Sequence, residues 1–183
     1  MGGGGNDERF TLVTLRAGQL PASDTPLPSR LIPSWEAAKA DRTRRFVLGM
    51  GMMGGMGMRG GMGGMGGMGG MMGMTINGRS MDINRIDERV PLGATEIWSI
   101  SNATPIAHPF HIHDIQFRVL DRDGTPAAPH ERGLKDTVMV DPGETVRVIT
   151  RFEDFADPDH PYMYHCHILE HEDAGMMGQF VVV

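Results

Sequence analysis

The chain has 183 residues, which suits one domain with an appendage, and 40% of them are hydrophobic. Its net charge of -6, with no basic stretch denser than Arg42-Thr43-Arg44-Arg45, argues against nucleic acid and against an anionic membrane surface as partners. Cys166 is the single cysteine, which excludes an intrachain disulfide, and no apolar run approaches the roughly 18 residues that a membrane span requires.

Met1 to Gly5 offer neither the basic nor the apolar region of a signal peptide, and read as an initiator with flexible glycines on a cut chain. Glu8 to Ala17 is β-rich and predicts one strand without a near partner. From residue 18 to 43 the chain predicts a linker. Pro21, Pro26, Pro28 and Pro33 remove donors and block helix, so this part is extended, with a short helix at Ser34 to Lys39. A domain then runs from residue 44 to 183, beginning with a strand at Arg44 to Leu48.

Gly49 to Met74 interrupts that domain with 14 glycines, 11 methionines and Arg59. Glycine at this density cannot offset its backbone entropy by burial, so a disordered insertion is expected. Thioethers are soft ligands, which gives the insertion a functional reading as a weak Cu(I) reservoir. The plainer reading is a neutral glycine loop.

After it, short β-prone segments alternate with turns. Strands are expected at Met74 to Ile76, Glu96 to Ile100, Ile115 to Leu120, Thr137 to Val140, Thr145 to Phe152, Tyr162 to His167 and Gly178 to Val183. Asn77-Gly78, Asp121 to Gly124 and Asp141-Pro142-Gly143 read as turns. The spacing predicts an all-β antiparallel sandwich rather than alternating strands and helices.

The chemistry concentrates in two clusters, His108-Pro109-Phe110-His111-Ile112-His113 and His165-Cys166-His167-Ile168-Leu169-Glu170-His171, the second followed by Gly175-Met176. Two imidazoles, a thiolate and a weak axial thioether are the ligands of a blue-copper electron-transfer site. A structural zinc site usually takes a closed set with more cysteines. On a strand, side chains alternate, so His165 and His167 face one way and Cys166 the other. The same rule joins His111 with His113. Ligands for two metal centres, back to back, are therefore present. His130 and His160 lie in proline-rich loops outside both clusters.

HPFHIH, GLKDTV (Gly133 to Val138) and HCHILEHEDAGMM together resemble the copper signatures of the C-terminal domain of multicopper oxidases, of the bacterial laccase and cuprous-oxidase type. The resemblance spans roughly Arg44 to Val183. It implies a cupredoxin Greek-key β-sandwich, with Glu8 to Ala17 as the last strand of a preceding domain. It implies copper as cofactor, with His108, Cys166, His171 and Met176 at the type 1 copper, His111 at the type 2 copper, and His113, His165 and His167 at the type 3 pair. Cys166 would carry electrons from phenols or Cu(I) toward the cluster, where O2 is reduced to water. Glu172 is a candidate proton relay, and Asp136 a candidate support for a ligand histidine. The remaining histidines of the three-copper cluster would come from N-terminal cupredoxin domains, in a periplasmic or extracellular enzyme. Thr104-Pro105-Ile106-Ala107 departs from the pattern, because similar cuprous oxidases carry an acid and a methionine there. The alternative is a stand-alone cupredoxin that carries electrons or binds copper without oxidase activity.

Overall fold

The computed structural model describes residues 39–52 and 72–183, together with Val13, Thr14, Arg16 and Pro26. Apart from those, the expected first strand, the proline-rich linker, the short helix (save Lys39) and the centre of the Met/Gly insertion, 53–71, lie outside the described residues. The chain divides into two compact units, Met1–Trp35 and Glu36–Val183, and the strands among the described residues belong to the second.

Among the described residues, eleven strands form two sheets. One has the order β2 (Met72–Ile76), β1 (Arg42–Met52), β4 (Thr95–Asn102), β9 (Thr145–Arg151), β6 (Arg118–Arg122), β7 (Thr125–Pro126). The other has the order β3 (Glu88–Val90), β11 (Met177–Val182), β10 (Asp157–Cys166), β5 (His108–Ile112), β8 (Thr137–Val140). The only α-helix among the described residues is α1 (Leu169–Asp173), and none is long and apolar enough to cross a membrane.

Alternation drives the assembly. Every second residue of β4 is buried, and His108, Phe110 and Ile112 are the buried positions of β5. The inward faces meet in a cupredoxin sandwich whose centre is aromatic. Trp98 has ring centroids 4.5 Å from Phe46 and 5.7 Å from Phe180, with Phe152 and Tyr164 against its other edges. The Trp98 indole N–H donates to Glu96 Oε2 at 3.1 Å. Arg44 holds the same carboxylate with two bonds, and also pairs with Glu88 and the Arg89 carbonyl. This buried charge is therefore fully partnered, as burial demands.

Three features depart from the expectations. Two strand pairs, β1 with β4 and β3 with β11, are parallel, because the chain crosses between the sheets before each returns. The ends of the Met/Gly segment are not disordered. Gly49 to Met52 prolong β1, and Met72 to Met74 belong to β2, in the register Met50↔Met74 and Met52↔Met72. The Thr75 side chain packs over Gly49 and Gly51, supplying the surface the glycines lack. Finally, Ile115 to Phe117 are not part of β6, since Asp114 takes a φ of 71° and turns the chain there.

Gly178 stands opposite Tyr164 in the β10–β11 ladder, and a Cβ at that position would overlap the phenol. The Gly178→Ala variant is expected to lose about 1–3 kcal/mol to overpacking, read from its urea midpoint. An unchanged midpoint would mean that the Tyr164 ring has room to move aside.

Candidate metal centre

One strand pairing builds the site. β5 and β10 run antiparallel with Phe110 opposite Cys166 and His111 opposite His165. Because side chains alternate, this register sends His108, Phe110 and Cys166 inward and His111 with His165 to the other face. His113 and His167 sit one residue past the ends of β5 and β10, yet both stay tied to the ladder. The His113 amide donates to the Met163 carbonyl at 2.9 Å, and the His167 amide to the Pro109 carbonyl at 2.8 Å.

The inward group is His108, Cys166 and His171, whose donor atoms all lie within 4.8 Å of one another. Cys166 Sγ is 3.3 Å from His108 Nδ1 and 3.4 Å from His171 Nδ1. A first-row ion bound to thiolate and imidazole at ordinary lengths needs S···N separations of about 3.5–3.8 Å. The three donors are thus within a few tenths of an ångström of a binding arrangement. His171 is delivered by α1, and Met176 follows it through a turn in which the Met176 amide donates to the His171 carbonyl at 2.9 Å. The Met176 carbonyl accepts from the Cys166 amide at 3.1 Å, and the side chain is fully buried. A buried and a half-buried imidazole with a buried thiol, and a buried thioether on the residue whose carbonyl bonds the Cys166 amide, are a soft donor set that fits copper.

The ring orientation of His108 has a cause that sequence reading missed. Thr104 Oγ1 lies 2.8 Å from Asn102 Oδ1 and 3.0 Å from the Ile106 carbonyl, both pure acceptors. They claim the single hydroxyl hydrogen, so at 2.6 Å from His108 Nε2 the same oxygen accepts. Nε2 therefore carries the ring hydrogen, and Nδ1 turns its lone pair toward Sγ. Asn102 anchors this support by donating to the Ile106 and Val140 carbonyls. No motif advertises Thr104. Its only signal was its place, four residues before His108.

On the outward face, donor atoms of His111, His113 and His165 form a second group within 4.8 Å. The His167 ring joins them at centroid distances of 5.5 Å from His111 and 5.3 Å from His165. His111 Nδ1 donates to the Asp136 carbonyl at 2.9 Å, so Asp136 supports this histidine through its backbone and not through its carboxylate. His165 Nδ1 lies between the Cys166 carbonyl at 3.1 Å and Glu172 Oε2 at 3.6 Å. Both partners are acceptors, so His165 also keeps its Nε2 lone pair for the cluster, 3.1 Å from His113 Nε2. Among the described residues His130 and His160 belong to neither group.

A cupredoxin sandwich with a His-Cys-His group under one end of the sheet and four histidines on its reverse defines a class of copper protein. A protein-family profile described as Multicopper oxidase matches residues 62–183, and the chain belongs to that family. It is 44% identical over 113 residues to the multicopper oxidase mco of Staphylococcus haemolyticus, covering 60% of this chain and 24% of that protein. It is 48% identical over 115 residues to a laccase of Haloferax volcanii, covering 59% of this chain and 19% of that one. The solved multicopper oxidase from Campylobacter jejuni, described as a metallo-oxidase, superposes with a TM-score of 0.68 at 32% identity. That match covers 87% of this chain and 34% of the other. The chain therefore spans a quarter or less of the length of these curated relatives.

Burial, and then the charge of His171, push the His108 pKa down from 6.5 to about 4, and burial also lowers His113 and His165. An unfolded imidazole takes a proton near pH 6.5, which the folded His108 refuses until about pH 4. The unfolded state binds more protons in that window. The stability that a neutral His108 lends the metal-free chain is thus fully present above pH 6.5 and is lost as pH drops toward 4. Urea midpoints across this range should decline, and less steeply in His108→Gln; a flat profile would contradict a neutral buried His108. A second expectation concerns Thr104→Val, which keeps the shape but removes the acceptor. Its copper affinity in chelator competition should fall roughly tenfold to a hundredfold. Equal affinities would show that the hydroxyl does not orient the ring.

Proposed function

We propose that this chain is the C-terminal, type 1 copper domain of a laccase-like or cuprous oxidase. In this reading His108, Cys166, His171 and Met176 would hold the type 1 copper. His111 serves the type 2 copper, and His113, His165 and His167 the type 3 pair. Bound copper would supply one-electron redox chemistry, drawing electrons from phenols or Cu(I) for the reduction of O2 to water.

The single observation that carries the reading is that Cys166 stands between two histidines facing the opposite way. Bonds through the His165-Cys166-His167 backbone join the inward thiol to the outward cluster without a gap. Burial raises the Cys166 thiol above its ordinary pKa, so the metal-free chain holds the proton that copper must displace. Glu172 is half-buried, with its carboxylate facing His165, and so bridges solvent and the histidine face. That location suits a relay for the protons that O2 reduction consumes.

N-terminal cupredoxin domains, in the same or another chain, would complete the histidine cluster, and the whole would work in the periplasm or outside the cell. The Met/Gly segment would hold Cu(I) through many weak thioether sites tethered at the β1–β2 hairpin, raising its local concentration. A stand-alone electron carrier is the rival. It has no use for four histidines gathered behind the thiolate.

The test uses colour and oxygen uptake together. The copper-loaded chain should show an intense thiolate-to-copper absorption that Cys166→Ser abolishes. With the N-terminal domains present, a phenolic donor should drive oxygen uptake. Stoichiometric copper without colour would refute the type 1 assignment. Colour without oxygen uptake, in the partnered protein, would leave the carrier.

A further inference from the structure

Between β2 and β3 the chain crosses from one sheet to the other through residues 77–87. The later part of this crossing, 80–87, has no ladder of its own, yet it is bound to β11 and the turn before it at several points. The Met81 amide donates to the Gly175 carbonyl at 2.9 Å. Gly175 has a φ of 84°, and a Cβ there would lie 3.2 Å from the Met81 nitrogen and 3.3 Å from Ser80 Cβ. The strap therefore presses on the residue that directly precedes Met176.

Its other anchor is Gln179. This side chain is only 1% exposed, and its Nε2 lies 3.2, 3.1 and 3.0 Å from the carbonyls of Asp82, Ile83 and Arg85. The backbone of Gln179 is engaged too. Its carbonyl accepts from the Asp87 amide, and its amide donates to Asp87 Oδ2, each at 3.0 Å. Arg85 closes the strap on itself, donating to the Ser80 carbonyl at 2.9 Å and to Asp87 Oδ1 at 2.6 Å.

Gln179 is out of character for its strand. Phe180, Val181 and Val182 fill the following positions, and all are buried. A buried amide is costly unless it is bonded, so an apolar residue would suit simple packing better. What the amide does here is share its two hydrogens among three carbonyls of an otherwise unladdered loop. Through that loop the main chain is gripped on both sides of Met176, at Gly175 and at Gln179.

We infer that Gln179 is a positioning residue for the metal site, clasping strap 80–87 so that the segment carrying Met176 is held in place beside Cys166, whose amide donates to the Met176 carbonyl. The inference rests on the ligand role proposed for Met176. A weak axial donor lowers the potential of the copper it approaches. If the segment slackens, the mean approach weakens, and the potential moves toward that of a site without the thioether.

The experiment compares wild type, Gln179→Leu, Met176→Leu and the double variant in the copper-loaded full chain. In Gln179→Leu the Met81 amide should exchange with solvent roughly tenfold faster or more, since the bonds that hold its loop are lost. The reduction potential should rise while the blue colour stays. In the Met176→Leu background the same Gln179 substitution should add no further shift, because the residue through which it acts is gone. A potential unchanged by Gln179→Leu would overturn the inference, and so would an equal shift in both backgrounds. If Gln179→Leu does not fold, Arg85→Ala, which opens the strap from its surface side, decides by the same comparison. A wild-type chain that binds copper without colour would instead refute the type 1 reading itself.

Discussion

The β5–β10 register is the constraint on which the rest depends. Phe110 opposite Cys166 and His111 opposite His165 are two statements of a single pairing. A slip of one residue would turn the thiol outward and drive two histidines into the aromatic core. The core resists such a slip because Phe110, Ile112 and Tyr164 are fitted around Phe46 and Trp98. Packing on one side of the sheet therefore aligns ligands on both sides. This is why the inward thiol and the outward cluster can be so close without sharing a donor.

Alignment of strands does not by itself aim an imidazole. Each histidine whose ring nitrogen is bonded on its far side has an acceptor there. For His108 it is Thr104, for His111 the Asp136 carbonyl, and for His165 the Cys166 carbonyl. Each acceptor takes the ring hydrogen and so leaves the opposite lone pair free for a metal. Three different elements perform one task. Two of the acceptors are backbone atoms, which no side-chain motif could reveal.

The polar interior follows the same economy. Arg44 ties β1, β3 and β4 together through Glu88, Glu96 and the Arg89 carbonyl, and Gln179 ties β11 to the crossing loop. Both are buried polar side chains, Arg44 with four bonds and Gln179 with its Nε2 among three carbonyls. Such groups specify one arrangement because any other leaves a donor or acceptor stranded. In this sandwich they stand where the chain changes sheets, the places where strand pairing alone fixes least.

The sequence by itself determined the β alternation, the turn at Asn77-Gly78, and the two clusters whose period of two sorts His111, His165 and His167 from Cys166. These are local properties, set by residue type and by neighbours in the chain. Spacing also carried the resemblance that named the family. The parallel pairings of β1 with β4 and β3 with β11 were not legible, since they depend on which distant edge is free when the chain crosses. Nor was the order at Gly49 to Met52, where Thr75 from the facing strand covers glycines that read as disordered alone. The supports of the site belong to the same class. Thr104 accepts from His108 only because Asn102 and Ile106 occupy its hydrogen, Asp136 acts through its carbonyl, and Gln179 finds three carbonyls nearly a hundred residues away. A ligand can be recognised from its own chemistry, but what holds it is chosen by residues that only the fold brings near.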